Sequence, residues 1–303
     1  MIKHHCHVCP HQCGVIRSEQ RTGYCRSGDL CSIASICRHQ GEEPVISGQR
    51  GICNVFFTHC NMQCTYCQNF EISRNTENVP SREMTVEEVA DEILHVLPDC
   101  ENRVGFVSAS HFAPQVIEII DRIRSLDANP VFVYNSNGYD SPATLRLLEG
   151  KIDVYLPDFK YSNAALGRQL SGVDNYPAIA LAAIKEMYWQ KGSTLLMNEV
   201  SGLAESGLII RHLVLPGLVE QSMDVLRMIA GELSLAIHIS LMSQYYPPFE
   251  ITGFPNLNRT VDSNEYERVV NEFHRLGFYR GWLQDMESHK NYRPQFAEKK
   301  PFK

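Results

Sequence analysis

Apolar residues in this chain follow two patterns: short unbroken runs, and stretches in which they recur every three or four positions. The runs at 52–57 (ICNVFF), 103–108, 130–135 (PVFVYN), 152–156, 208–215 and 237–242 predict strands. Helical spacing predicts helices from Thr85 to about Leu97, from Pro114 to Leu126, and from Ser141-Pro142 towards a stop at Gly150. It predicts further helices from Tyr176 to Gln190, Gln221 to Ile229 and Asp262 to Leu276. Thr85-Val86-Glu87-Glu88 forms a capping box and Gly277 a C-cap, which set two of those ends. Strands alternating with helices imply a parallel sheet, and five or six such units suggest an α/β partial (β/α)6-type barrel.

Cysteine usage divides the chain. Nine of its 11 cysteines precede residue 65, Cys67 follows at once, and Cys100 stands apart. This shift places a small cysteine-rich module at residues 1–48 and the main domain at 49–303. With 303 residues, 44% apolar and 21% charged, the composition is that of an ordinary globular protein. A net charge of -7 argues against an extended nucleic-acid surface. The first residues lack the apolar core of a signal peptide, and no run is long enough to cross a bilayer. The expected setting is the reducing cytoplasm, where thiols stay free.

The sharpest chemical signal is Cys60-Asn61-Met62-Gln63-Cys64-Thr65-Tyr66-Cys67, directly after the first predicted barrel strand. Three thiolates this close can hold one soft metal centre, and a [4Fe–4S] cluster normally takes four. A cube held by three keeps one iron free to chelate a small molecule. Zinc also uses Cys-x2-Cys spacing, so a non-catalytic, zinc-folded protein is the rival reading.

The strand ends carry polar groups where parallel α/β folds gather their active sites. They are Ser108-Ala109-Ser110-His111, Asn135-Ser136-Asn137-Gly138, Asp158-Phe159-Lys160, Arg211 and Gln244. Together they offer hydrogen-bond acceptors, donors and charges at one end of the predicted sheet. His111, Tyr139, Tyr245 and Tyr246 are further, less specific candidates on the substrate side, and Tyr292 to Phe296 reads either as a cover over the barrel mouth or as a surface tail.

The cysteine spacing resembles the signature of the radical S-adenosylmethionine (radical SAM) superfamily. Along nearly the whole chain, CHVCPHQCGV, GEEPVISG, CNMQCTYCQN, YNSNGY, YLPDFKY, RHLVLPG and LMSQYYP resemble the activating enzymes of glycyl-radical enzymes, such as that of pyruvate formate-lyase. Their long relatives with an N-terminal cysteine cluster are the nearest match. The resemblance implies that Cys60, Cys64 and Cys67 bind the [4Fe–4S] cluster and that Tyr66 meets the adenine. It implies that Asn135, Ser136, Asn137, Asp158 and Lys160 hold S-adenosylmethionine, with Arg211 near its carboxylate. Most of the superfamily has a Gly-Gly-Glu stretch after the second strand. Here Ser108 to His111 replaces it, with Ser108 and Ser110 as substitute acceptors. The activity implied is reductive cleavage of S-adenosylmethionine to a 5′-deoxyadenosyl radical, followed by hydrogen abstraction from a protein glycine. Another peptide or a small metabolite is the alternative substrate. The partners implied are a reduced flavodoxin or ferredoxin and a glycyl-radical enzyme.

Cys6-x2-Cys9-x3-Cys13-x11-Cys25 forms a second four-cysteine set, suited to a structural zinc or an auxiliary [4Fe–4S] cluster. The histidines at 4, 5, 7 and 11 add possible ligands. Cys31, Cys37, Cys53 and Cys100 read as buried apolar residues, though the first two could extend the set.

Overall fold

The buried apolar runs become the strands of one sheet. The computed structural model describes residues 5–18, 23–76, 78–288, 293–298 and 301–302; His4 and Tyr292 lie outside them. The strands are β1 (Cys31–His39), β2 (Ile52–Phe57), β3 (Arg82–Met84), β4 (Arg103–Val107) and β5 (Val131–Ser136), then β6 (Val154–Pro157), β7 (Leu196–Met197), β8 (Ala204–Leu213), β9 (His238–Met242) and β10 (Gly281–Leu283). The helices are α1 (Pro44–Ser47), α2 (Phe70–Ser73), α3 (Val86–Val96), α4 (Ala113–Ser125) and α5 (Pro142–Leu147), then α6 (Ala164–Ser171), α7 (Tyr176–Lys191), α8 (Val219–Glu232) and α9 (Ser263–Leu276).

Among the described residues the sheet runs in the order β10-β9-β8-β6-β5-β4-β2-β1-β3, with β7 paired to β8. Neighbours from β2 through β4, β5, β6, β8 and β9 to β10 are parallel, which is the expected partial barrel. β1 lies antiparallel beside β2 and carries the sheet into the cysteine-rich segment. The predicted 208–215 strand starts earlier, at Ala204, because its first residues pair with β7. α3 has the predicted capping box at Thr85 and Glu88, and α9 ends on Gly277 in the left-handed conformation.

Alternation along each strand sorts the side chains. In β2, Cys53, Val55 and Phe57 join the main core with Val89 and Ile93 of α3 and Val116 and Ile120 of α4. Ile52 of the opposite face joins Ile46, Val133, Val154, Leu156, Leu195, Ala204 and Ile209 in a separate plug. This plug gathers apolar residues from β2, β5, β6 and β8, apart from the main core. Phe296 packs on Phe56 with ring centroids 5.3 Å apart, and its N–H donates to Glu71 at 2.7 Å. The C-terminal segment is therefore fixed against the barrel wall.

Candidate active site

The cysteine loop is held by its backbone before any ligand is considered. Cys60 N–H donates to Asn75 Oδ1 at 3.1 Å, and Asn61 Nδ2 donates to the Tyr139 carbonyl at 2.7 Å. Gln63 and Thr65 donate to the last carbonyls of α6, those of Ser171 (2.9 Å) and Leu170 (2.8 Å). Each of the three sulfurs also has a polar partner. Asn137 Nδ2 and Met62 N–H approach Cys60 Sγ at 3.3 Å, Ser171 Oγ approaches Cys64 Sγ at 3.0 Å, and Ser73 Oγ approaches Cys67 Sγ at 3.2 Å. Donors aimed at thiolates are what an iron–sulfur cluster needs to tune its charge. Without a metal, burial pushes the Cys60 thiol up to about 12, and burial raises Cys64 against the opposing pull of Lys160. A cationic centre beside the Cys60 and Cys64 sulfurs would favour their thiolate forms. Among the described residues no group of three or more His, Cys, Asp or Glu side chains is set to hold a single metal ion. Three cysteine thiolates are donors that would suit a [4Fe–4S] cluster.

The loop forms one wall of a cavity at the strand C-termini that opens to solvent. Facing the sulfurs are two charge systems. Lys160 Nζ stands 2.5 Å from Asp158 Oδ2; burial disfavours the ammonium, but Asp158 outweighs it and holds the Lys160 value above the ordinary one. Deeper, Arg211 pairs with Glu42 at 3.2 Å and Glu43 at 3.1 Å. Glu42 also accepts from Asn54 at 2.9 Å and from Asn135 at 3.4 Å. Burial alone would raise Glu42, yet Arg211, with His39, Asn54 and Asn135, holds its carboxyl below the usual value. Two glycines make room for these contacts. A side chain on Gly105 of β4 would collide with Asn54 Oδ1, and one on Gly138, at φ 80°, with the Asp158 carbonyl.

A profile of the Radical SAM superfamily matches residues 54–195, which contain the cysteine loop and the strands around it. The chain belongs to the radical SAM superfamily. An uncharacterized protein of Methanocaldococcus jannaschii is 32% identical over 270 residues, 88% of this chain and 73% of that protein. The pyruvate formate-lyase-activating enzyme of Staphylococcus epidermidis is 28% identical over 192 residues, 59% of this chain and 68% of that enzyme. The crystal structure of HydG, a maturase of the [FeFe]-hydrogenase, shares the fold at TM-score 0.50 and 14% identity. That likeness covers 82% of this chain, which spans 56% of HydG. Radical SAM membership implies an enzyme with a [4Fe–4S] cluster and S-adenosylmethionine.

Within this radical SAM barrel, Cys60, Cys64, Cys67, Tyr66, Ser108, Asn135, Asn137, Asp158, Lys160, Arg211 and Gln244 all line the one cavity. Tyr66 is buried, its hydroxyl accepting from Tyr161 at 2.7 Å. Gln244 is steadied by Gln284 Nε2 at 2.7 Å.

Two predicted residues are placed differently. Ser136 borders the cavity, but its hydroxyl is bonded to Asp140 and accepts from Gly138 N–H at 2.9 Å, so it stiffens the strand end. Ser110 does not line the cavity: Ser108 takes φ 54°, the chain enters a 3-10 turn, and Ser110 is carried to the Tyr134–Asp140 pair. Of the two serines, therefore, Ser108 lines the cavity and Ser110 does not.

The substrate-side candidates also move. His111 and Tyr245 are fully buried off the cavity, the latter bonded to the Leu257 carbonyl at 2.6 Å. Tyr139 stacks on Tyr176, and Tyr246 lies under Arg293. Glu42 and Glu43, within the GEEPVISG motif, and Asn54 were not foreseen as site residues. An asparagine inside the wholly buried run ICNVFF was the signal available, since a buried amide needs a partner.

Proposed function

We propose that this chain activates a partner protein by abstracting a hydrogen atom from a glycine Cα. The observation that carries the catalytic part is the single cavity in which three hydrogen-bonded cysteine sulfurs face Asp158–Lys160 and Glu42–Arg211. Similarity to the pyruvate formate-lyase-activating enzyme over 192 residues supports the glycine. When bound, a cluster with one iron free of protein ligand supplies the electron that cleaves S-adenosylmethionine to a 5′-deoxyadenosyl radical.

The residues have separable tasks. Cys60, Cys64 and Cys67 hold the cluster. Arg211 offers a cation to the cofactor's carboxylate, and Asp158, Asn135 and the Ser108 hydroxyl offer acceptors to its amino and ribose groups. Tyr66 supplies an aromatic wall for the adenine. The C-terminal segment alongside limits water in a site where a carbon radical must survive. A reduced flavodoxin or ferredoxin is the electron donor in this reading, and a reducing cytoplasm is its setting. Among the described residues no helix is long and apolar enough to cross a membrane. Superfamily membership favours this reading over a zinc-folded, non-catalytic protein.

The test is anaerobic. Reconstituted protein given dithionite and S-adenosylmethionine should yield 5′-deoxyadenosine, and adding a glycyl-radical enzyme should produce the EPR doublet of a backbone glycyl radical. Release of 5′-deoxyadenosine that no such enzyme converts into that doublet would move the substrate to another peptide or a small metabolite. No 5′-deoxyadenosine from cluster-replete protein would end the proposal.

A further inference from the structure

The described residues between 5 and 30 contain neither helix nor extended strand, and they have almost no apolar interior. Among those described, the buried side chains are Cys6 (6% exposed), Cys9 (5%), Cys25 (3%) and Ser27 (1%). Three thiols and a hydroxyl bury too little apolar surface to offset the entropy of ordering such a stretch. Something other than a hydrophobic core has to fix it.

The backbone gathers the four cysteines of this segment. Cys6 N–H donates to the Val15 carbonyl at 2.8 Å, Gly14 N–H donates back to the Cys6 carbonyl at 3.0 Å, and Gln12 N–H donates to the Cys9 carbonyl at 3.0 Å. The returning limb then passes so close that a Cβ on Gly23 would stand 2.5 Å from Cys13 Sγ, two residues before Cys25. Arg17, two residues past Val15, reaches Cys25 Sγ with Nη2 at 3.7 Å. All four are free thiols.

We propose that Cys6, Cys9, Cys13 and Cys25 bind a second iron–sulfur cluster, which clamps the Cys60 end of the active-site loop. Four thiolates are a complete ligand set for such a cluster, whereas no described group of side chains is set to hold a single metal ion. The residues between the ligands make the clamp. His11, between Cys9 and Cys13, donates from Nε2 to the Asn61 carbonyl at 2.8 Å. Tyr24, before Cys25, accepts from Asn75 Nδ2 at 2.9 Å, and that same amide grips Cys60 at both its carbonyl (3.0 Å) and its N–H (3.1 Å). His11 and Tyr24 stack with centroids 3.8 Å apart, so the two contacts form one unit. The centre needs no particular substrate in the barrel and stands apart from the glycine proposal.

The test uses the full chain with Cys60, Cys64 and Cys67 replaced by alanine, loaded anaerobically with ferrous iron and sulfide or, separately, with zinc, then desalted. About four irons retained per chain supports the site, and retention of about one zinc but no iron would overturn it. Adding Cys9→Ser and Cys25→Ser should abolish the iron retention. Retention of neither metal, or retention unchanged by those two substitutions, would overturn the site. The clamp is read in the chain with an intact loop: His11→Ala, which spares all four thiols, should speed bleaching of the Cys60–Cys64–Cys67 cluster by chelator several-fold. Bleaching at the wild-type rate would overturn the clamp while leaving the metal site standing.

Discussion

Lowering the pH from 7.5 to 5.0 should destabilise this protein through two buried histidines. His111 donates from Nε2 to the Thr58 carbonyl at 2.9 Å, and His212 from Nδ1 to the Phe159 carbonyl at 2.7 Å. The other ring nitrogen of each is buried without a hydrogen-bond partner. Protonation would place a second N–H, and a charge, where nothing accepts them. Burial accordingly pulls His111 from 6.5 to about 3 and His212 to about 4. The unfolded chain binds these protons near pH 6.5 and the folded chain does not. Stability is therefore fully present above pH 6.5 and declines as the pH falls towards the folded values. At pH 5.0, with 1.36 kcal/mol per pKa unit, each ring costs about 2 kcal/mol, or about 4 kcal/mol together. The paired carboxylates do not interfere. Glu265 and Glu272 are held at about 2 by hydrogen bonds from Arg259 and Arg275, so what they add is lost only as the pH falls from 4.5 towards 2. The assay is urea unfolding at both pH values for wild type and for the His111→Gln/His212→Gln double variant, since glutamine keeps a donor but cannot titrate. The double variant should lose about 4 kcal/mol less than wild type across this range. Parallel losses in the two proteins would refute the argument.

Four further outcomes follow from individual contacts. Glu42→Ala leaves Asn54 and Asn135 without their acceptor and Arg211 short of one carboxylate, and should cost about 3 kcal/mol in urea unfolding. Asp174→Ala, at the exposed Arg168 pair, should change nothing measurable in the same assay, and equal effects would contradict the contrast. Gly105→Ala drives a methyl group into Asn54 and should destabilise by about 1–3 kcal/mol; a neutral result by calorimetry would mean the amide can swing clear. Asn137→Ala removes the amide donor from Cys60 Sγ, so the cluster potential should become more negative in an EPR redox titration, and an unchanged potential would remove Asn137 from the cluster's surroundings.

How much of this was legible in the sequence depended on how far each signal reached along the chain. Central parallel strands are buried on both faces, so ICNVFF, RVGFV and VFVYNS announce themselves as apolar runs. The cysteine loop is equally local: its ligands lie within eight residues, and spacing alone carries the chemistry. β1 went unread because the cysteines of CSIASICRH invite a metal reading, and its partner β2 lies beyond α1. α6 went unread because AALGRQLS has only two turns and a glycine at its centre, although its C-terminal carbonyls hold the cluster loop. The Glu42–Arg211 pair spans 169 positions, and no pattern at either end distinguishes a buried pair from two surface charges. Ser110 was misplaced for the opposite reason. Strand alternation would turn it to the same side as Ser108, but the positive φ at Ser108 ends the alternation one residue too soon. Local pattern thus reveals which elements form and where a ligand-binding loop lies. Which strand-end polar groups share the cavity is decided by backbone turns and distant pairings, and the carboxylate nearest Arg211 comes from the segment that the cysteine count had set apart from the barrel.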